Sequence, residues 1–417
     1  MLNKLTKAGQ ELQNYFVVTL SYWGFTLTDG AIRMLVVLYF YQLGYSPLEI
    51  AMLFLFYELC GVITNFVGGW MASHMGLNTT MHLGMGLQVL ALLMLAVPVA
   101  WLSVPYVMLA QALSGIAKDL NKMSAKASVK LMLPSNAQGK LFKWVAFLTG
   151  SKNAIKGVGF FVGGFLLHLF SFQTALFVLA FGLLILLIAT MILLPKNIGQ
   201  TKSKLKFKHL FSKSRDINTL SAARLFLFAA RDVWFVVALP VYLSAVLGWS
   251  HTQVGSFFAL WVMGYGIVQA NAPRLLRYGL SKSAHHEKGP DGKTAKMWAF
   301  MLFVALTVMT LIFSQGSQPE LVLVSGLVVF AIVFAVNSAV HSYLILDFST
   351  QDQVSVDVGF YYMANAAGRL LGTVLSGWAY QNWGLEGCLW WSTGFVLVTT
   401  LISIRLPFQK QELREVR

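Results

Sequence analysis

FTLTDGAIRMLVVLYFYQLGYS (25–46) and FAARDVWFVVALPVYLSAVLGWS (228–250) are two versions of one pattern. Each is an apolar run with an acid near its start, Asp29 or Asp232, and each closes on Leu-Gly-aromatic-Ser. Phe25 matches Phe228 and Tyr39 matches Tyr242 at nearly the same offsets, so the chain reads as a doubled unit. Asn153-Ala154 and Asn365-Ala366 extend the repeat, each with a basic residue shortly after, Lys156 or Arg369.

Working outward, a run that crosses a bilayer needs about 20 mostly apolar residues, more when tilted. Twelve runs qualify: 15–42, 47–73, 79–100, 104–126, 141–169, 173–194, 219–246, 251–275, 297–315, 320–346, 356–380 and 386–405. Gly44-Tyr45-Ser46-Pro47 and Gly248-Trp249-Ser250 punctuate two of the breaks, and the joint near Ser103-Val104-Pro105 is the weakest. Composition agrees. Of 417 residues 57% are hydrophobic and 11% charged, where a soluble chain carries about 25% charged residues. No polar stretch is long enough for a soluble domain. Cys60 and Cys388 both lie in apolar runs, too few for a disulfide scaffold or a thiolate metal cluster, and no metal or cofactor is expected. The polar start, MLNKLTKAGQELQNY, lacks the layout of a signal peptide, so the first span is expected to be retained.

Basic residues orient the spans. Lys196, Lys202, Lys204, Lys206, Lys208, Lys213 and Arg215 crowd the central loop, and Arg277, Lys282, Lys288, Lys293 and Lys296 the loop after span eight. The six odd-numbered loops have no lysine or arginine, so the even side and both termini are cytoplasmic by the positive-inside rule. Most of the net charge of +15 is therefore topology, read as lipid-headgroup contact and not as nucleic-acid binding. The expected organisation is a six-helix bundle over 1–195, a basic linker over 196–218 and a second bundle over 219–417.

The charges left inside the spans carry the functional content, because each costs about 2.5–3.5 kcal/mol on insertion scales. Span one has Asp29 and Arg33, spaced to share a helix face and pair; span five has Lys152 and Lys156 near the bilayer centre; span seven has Arg231 and Asp232, with Arg224 nearer the cytoplasm; span eleven has Arg369. Span four holds an i,i+4 ladder, Lys118, Lys122, Lys126 and Lys130, in SGIAKDLNKMSAKASVKLML (114–133), with Asp119 and Asn121 beside it. Lys118 and Lys122 are expected within the membrane, while Lys126 and Lys130 read as anchors snorkelling to the cytoplasmic headgroups.

Other readings stand beside these. Asp29 with Arg33 and Asp232 with Arg231 also read as neutral structural pairs. Glu49 and Glu58 read as packing acids, Glu58 also as a protonatable coupling site. His341 reads as a satisfied core histidine, Asp347 as a cytoplasmic-edge acid and His168 as interfacial. Even so, Arg33, Lys118, Lys122, Lys152, Lys156, Arg231 and Arg369 outnumber Asp29, Glu58, Asp119 and Asp232 at membrane depth. Excess positive charge in a low-dielectric cavity calls for an anion. Arginine forks and lysine point charges suit phosphate-like oxyanions. The candidate binding set is those seven cations with Asn153 and Asn365, and the four acids are candidates for proton coupling or charge balance.

Parallel six-helix halves joined by a basic cytoplasmic loop resemble the major facilitator architecture, an all-α membrane fold of twelve transmembrane helices in two pseudo-repeats with its substrate site at the midplane. Gly68-Gly69-Trp70-Met71-Ala72-Ser73-His74-Met75-Gly76-Leu77-Asn78 resembles that superfamily's loop motif, with Ser73, His74 and Asn78 in place of its acid and arginines. Gly159-Phe160-Phe161-Val162-Gly163-Gly164 resembles its antiporter motif with Phe160 in place of proline, and also reads as helix packing. Within the superfamily, YWGFTLTDGAIRMLVVLYF (22–40), LGYSPLEIAMLFLFYE (43–58), QALSGIAKDLNKMSAKASVKLM (111–132) and LTGSKNAIKGVGFFVGG (148–164) are similar to the organoarsenical efflux permeases of bacterial arsenic-resistance operons. That resemblance implies export across the bacterial inner membrane of 1-arseno-3-phosphoglycerate, made when glyceraldehyde-3-phosphate dehydrogenase accepts arsenate. A monomer without cofactor is expected. An organic-phosphate exchanger would show the same cations. A proton-coupled multidrug exporter would show the opposite charge balance, and a membrane enzyme or sensor would need a catalytic constellation or a signalling domain.

Overall fold

The computed structural model describes residues 2–45, 53–133, 138–194, 214–249, 251–276, 289–316, 318–350 and 352–408. Glu49, Lys196, Lys202, Lys204, Lys206, Lys208, Lys213, Arg277, Lys282 and Lys288 lie outside them, and so does most of the expected linker. The described residues are helical, without a strand: α1 (Leu2–Gln42), α2 (Leu55–Met75), α3 (Leu77–Leu95), α4 (Val104–Leu131), α5 (Gln138–Leu169), α6 (Phe172–Leu193), α7 (Arg215–Phe235), α8 (Ala238–Ala245), α9 (His251–Leu275), α10 (Gly292–Ser314), α11 (Pro319–Phe348) and α12 (Val354–Ser403). Helices are the form in which a chain crossing lipid satisfies its own backbone.

The twelve expected crossings are present, three of them in altered guise. Span seven is broken into α7 and α8, because Pro240 has no N–H to give to the residue four before it. The amide freed at the break, Ala238 N, donates instead to Ser376 Oγ at 3.1 Å. Spans eleven and twelve form one element, α12, which doubles back at Gly384, where φ of 62° suits only glycine at low cost. Gly44 and Gly248, matched in the sequence repeat, both take positive φ at the ends of their spans.

Length and apolar composition alone single out six of the described helical runs as membrane-crossing. The helices outside that set, α1, α2, α4, α5 and α9, turn polar faces to a central cavity or to the seam between the halves. Elsewhere the outer surface is apolar: Phe161, Phe181, Ile192, Leu260 and Val374 are exposed, as a lipid-facing wall requires.

The halves meet along two seams, α2 against α12 and α5 against α9. Small residues bring these helices together. A Cβ on Gly69 would meet Ser355 O at 2.5 Å, and one on Gly150 would run into the backbone of Gly266 and Ala270. At the end expected to be cytoplasmic one buried core joins both halves, including Tyr15, Met123 and Phe142 from the first and Leu220, Tyr343 and Val358 from the second. At the other end the cores are separate, one around Phe25, Met85 and Phe172, the other around Trp234, Trp261 and Phe334. Among the described residues the halves are thus joined at the end expected to be cytoplasmic and parted at the other.

Candidate functional site

Between the halves lies a cavity of about 260 Å³. All seven predicted cations line it, together with Asn153, Asn365 and two cations outside the predicted set, Lys126 and Arg224. Helices α1, α4, α5, α7 and α12 each contribute to this ring of nine. The larger depressions beside Trp383 and Trp390, and beside Trp249 and Leu321, are mainly apolar with one carboxylate each, Glu386 or Glu320, and offer nothing to an anion.

Four carboxylates stand behind the ring. Asp29 pairs with Lys156 at 3.4 Å and accepts from Tyr57 Oη at 2.5 Å. Its counterpart in the second half, Asp232, pairs with Arg369 at 3.2 Å and with Arg231 at 2.6 Å. The sequence repeat is therefore also a repeat of ion pairs: span five to span one, and span eleven to span seven. The glycine three residues after each cation lets its helix approach, Gly159 against Gly30 and Gly372 against Ala229 and Asp232.

Glu58 is the hub of the outer tier. Arg33 at 3.3 Å, Lys118 at 3.8 Å and Arg369 at 2.8 Å converge on it from three helices, and Arg369 makes that contact from the opposite half. The fourth acid, Asp119, holds Lys122 at 2.5 Å and Lys118 at 3.7 Å. The expected Asp29–Arg33 pair is not made. Arg33 is drawn across α2, its guanidinium over the rings of Tyr57 and Phe54 and its charge on Glu58, while Asp29 turns to α5. Asp232 does compensate Arg231, as one reading held, but it also serves Arg369.

Three cations differ from the rest: Lys126, Lys152 and Arg224 make no ion pair among the described residues. Lys126 corrects the snorkelling expectation. It is 3% exposed, over the ring of Tyr362 and 3.4 Å from Ser342 Oγ, because one more i,i+4 step keeps it on the cavity face. Arg224, also 3% exposed, donates from Nε to Asn365 Oδ1 at 2.9 Å and from Nη1 to Ser338 Oγ at 3.0 Å, and it covers Phe228 at 4.0 Å. Lys152 lines the cavity beside Asn153 and Lys156, and Asp29, the acid that Lys156 pairs with, is also held by Tyr57. Asn153 donates to Gln269 at 2.8 Å, which ties the two predicted asparagines into the same polar lattice.

One wall is aromatic. Phe228, Phe235, Phe258, Trp261 and Tyr265 face the cavity from the second half, where sequence reading recorded no site residues except charges and Asn365. Tyr57 was likewise missed, although its place beside Glu58 and one turn from Phe54 was visible. Another correction concerns His341: it is fully buried, yet neither ring nitrogen has a hydrogen-bond partner among the described residues, so it is not a satisfied core histidine. Asp347 is half-buried near its helix end, as expected. In the motif after span two, Ser73 and Asn78 are buried and His74 contacts Trp70 O, and Gly76, with φ of 89°, separates α2 from α3.

The comparisons bear on the fold. The family model described as Major Facilitator Superfamily matches residues 15–284, well over half of the chain. No curated protein matches in sequence. Among solved structures, a bacterial homologue of the iron transporter ferroportin in outward-facing state superposes with a TM-score of 0.73 at 16% identity, covering 95% of this chain and 98% of that one. The human organic anion transporter MFSD10 gives 0.73 at 16% identity over 94% and 99%. The proton:xylose symporter XylE bound to 6-bromo-6-deoxy-D-glucose gives 0.73 at 11% over 95% and 95%. At these identities the likeness is one of fold.

Proposed function

The chain belongs to the Major Facilitator Superfamily, a multi-pass transporter and not an enzyme, and we propose that it exports an organic oxyanion across the bacterial inner membrane by alternating access. The observation that carries this reading is the charge of the cavity: nine cations line it, four carboxylates answer them, and three of the cations pair with none among the described residues. Removing an ion from water costs several kcal/mol unless it is paired. A cavity that accepts that cost three times over is built to receive negative charge. A cationic drug would meet repulsion.

Within the oxyanions, the sequence resemblance favours 1-arseno-3-phosphoglycerate, with arsenate resistance as the outcome and an arsenate-accepting glyceraldehyde-3-phosphate dehydrogenase as the source. Hard oxyanions need no thiolates, and neither cysteine, Cys60 or Cys388, is among the cavity-lining residues. The aromatic wall favours a second reading, a phosphate ester with a larger organic body.

The mechanism follows from the two tiers of charge. Ser124 and Ser128 on α4 and Asn337 and His341 on α11 lie toward the cytoplasmic end, buried and without hydrogen-bond partners among the described residues. Opening that end would give them water and expose Lys126 to the cytoplasm. The substrate then replaces water around the unpaired cations. Its second charged group competes with Glu58 for Arg33, Lys118 and Arg369, loosening the bridge between the halves and allowing exit through the outer side. Arsenate sensitivity of cells expressing the chain, with and without the co-expressed dehydrogenase, tests the reading: resistance should appear only with both. Equal sensitivity in all strains, with the protein shown to be inserted, would remove the arsenic ester from the class.

A further inference from the structure

We infer that Lys126, Lys152 and Arg224, with the Thr149 hydroxyl, form an oxyanion subsite at the cytoplasmic floor of the cavity, built for the compact tetrahedral head of a phosphate or arsenate monoester. The inference rests on the anion-transport reading and assigns the end of the substrate that this floor holds.

Lys126 and Arg224 are each 3% exposed, yet neither meets a carboxylate among the described residues. Lys126, Lys152 and Arg224 line one cavity, so like charges have been gathered where packing alone would separate them. Arg224 is held by neutral acceptors, Asn365 Oδ1, Ser338 Oγ and Ser338 O, which fix the direction of its fork without cancelling its charge. Thr149 stands one turn before Lys152 on the same helix face. Its buried hydroxyl has no hydrogen-bond partner among the described residues and lines the same cavity.

The chemistry fits a tetrahedral head. An arginine supplies a planar fork and two lysines supply point charge, a combination suited to an oxyanion carrying two charges. A singly charged carboxylate would leave two of the three cations unanswered. The outer tier cannot take the same role unaided, since each of its cations already holds a carboxylate. Above the floor the aromatic wall receives the organic body, so the ester is bound head-down, charged end toward the cytoplasm.

The test uses the full-length purified protein in detergent, with inorganic phosphate and 3-phosphoglycerate as probes and thermal unfolding as the readout. Both probes should raise the unfolding temperature of the parent protein, as any ligand of the native state does. Arg224→Gln and Lys126→Gln should weaken the probes' apparent affinity by roughly tenfold to a hundredfold, the loss of a charge-assisted contact, with Arg224→Lys in between. Thr149→Glu guards against variants that merely fold badly: it places a carboxylate among the three cations, so it should raise the basal unfolding temperature and abolish the response to phosphate. A folded Arg224→Gln and Lys126→Gln pair with unchanged affinity, or a Thr149→Glu protein less stable than its parent that still responds to phosphate, would overturn the subsite. If the parent transports an organic anion while these outcomes hold, the subsite fails and the transport reading stands. If no anion is transported at all, both fail.

Discussion

The outer tier and the floor of the cavity are built from the same side chains and solve opposite problems. In the outer tier Arg33, Lys118, Lys122, Lys156, Arg231 and Arg369 are each tied to one of four carboxylates. On the floor Lys126, Lys152 and Arg224 make no ion pair among the described residues, and Lys126 and Arg224 donate to neutral acceptors. A paired cation holds helices in place, and an unpaired one waits for a ligand. The difference separates the charges that keep the halves aligned from those that recognise cargo, a distinction that residue type alone does not make.

The largest expected effect comes from breaking the outer tier where it is most buried. Asp232→Asn leaves Arg231 without its carboxylate, and Arg369 with Glu58 alone, at a site 1% exposed. Uncompensated buried charge of this kind costs about 3–5 kcal/mol, so the unfolding temperature should fall sharply while the floor remains intact. An unchanged unfolding temperature would show that the pairs are not structural.

Glu58→Gln comes next and acts differently, because Glu58 is 30% exposed and bridges the halves. Its loss frees Arg33, Lys118 and Arg369 for the substrate, so phosphate esters should bind several-fold more tightly while turnover drops by about tenfold, the equivalent of ~1.4 kcal/mol. Binding and transport measured on the same reconstituted protein check this. Parallel loss of both would make Glu58 a plain structural acid.

Gly150→Leu tests the seal beneath the floor. Its side chain would press on the backbone of Gly266 and Ala270, an overpacking cost of ~1–3 kcal/mol confined to the sealed form. A cysteine placed at Ser128 should then react with a membrane-impermeant thiol reagent from the cytoplasmic side at least severalfold faster. An unchanged rate would place the seal elsewhere.

The smallest effect separates two rungs of one ladder. Lys130→Ala, half-buried at the helix end, should change stability by less than about 0.5 kcal/mol and transport by less than twofold. Lys126→Ala, one turn further in, should abolish transport. Equal effects in transport assays would erase the boundary between anchor and floor.

The sequence was legible wherever a pattern repeats. The matched runs at 25–46 and 228–250 announced the two halves, and Asp29, Asp232, Lys156 and Arg369 fell in corresponding places because the same helix contact is used twice. Partner choice was not legible. The i,i+4 spacing of Asp29 and Arg33 suggested a pair within one helix, but α2 and α5 supply better partners across helices, a tertiary fact with no local trace. Lys126 departs from its expected place for a simpler reason: its depth along the helix points to the headgroups, but the ladder's constant face keeps it on the cavity. Arg224, nearer the cytoplasm along α7 than Arg231, likewise reaches the cavity. The aromatic wall escaped notice because phenylalanine and tryptophan in a span look the same whether they face lipid or a cavity.

The central claim is that the cavity carries negative cargo outward. Everted membrane vesicles containing the chain, offered the arsenate ester generated in place by glyceraldehyde-3-phosphate dehydrogenase alongside a lipophilic cation, test it directly. Arsenic should accumulate inside vesicles of the parent protein, fall to background with Arg224→Gln, and be unaffected by the cation, which stays outside. Accumulation of the cation without the anion would contradict the account.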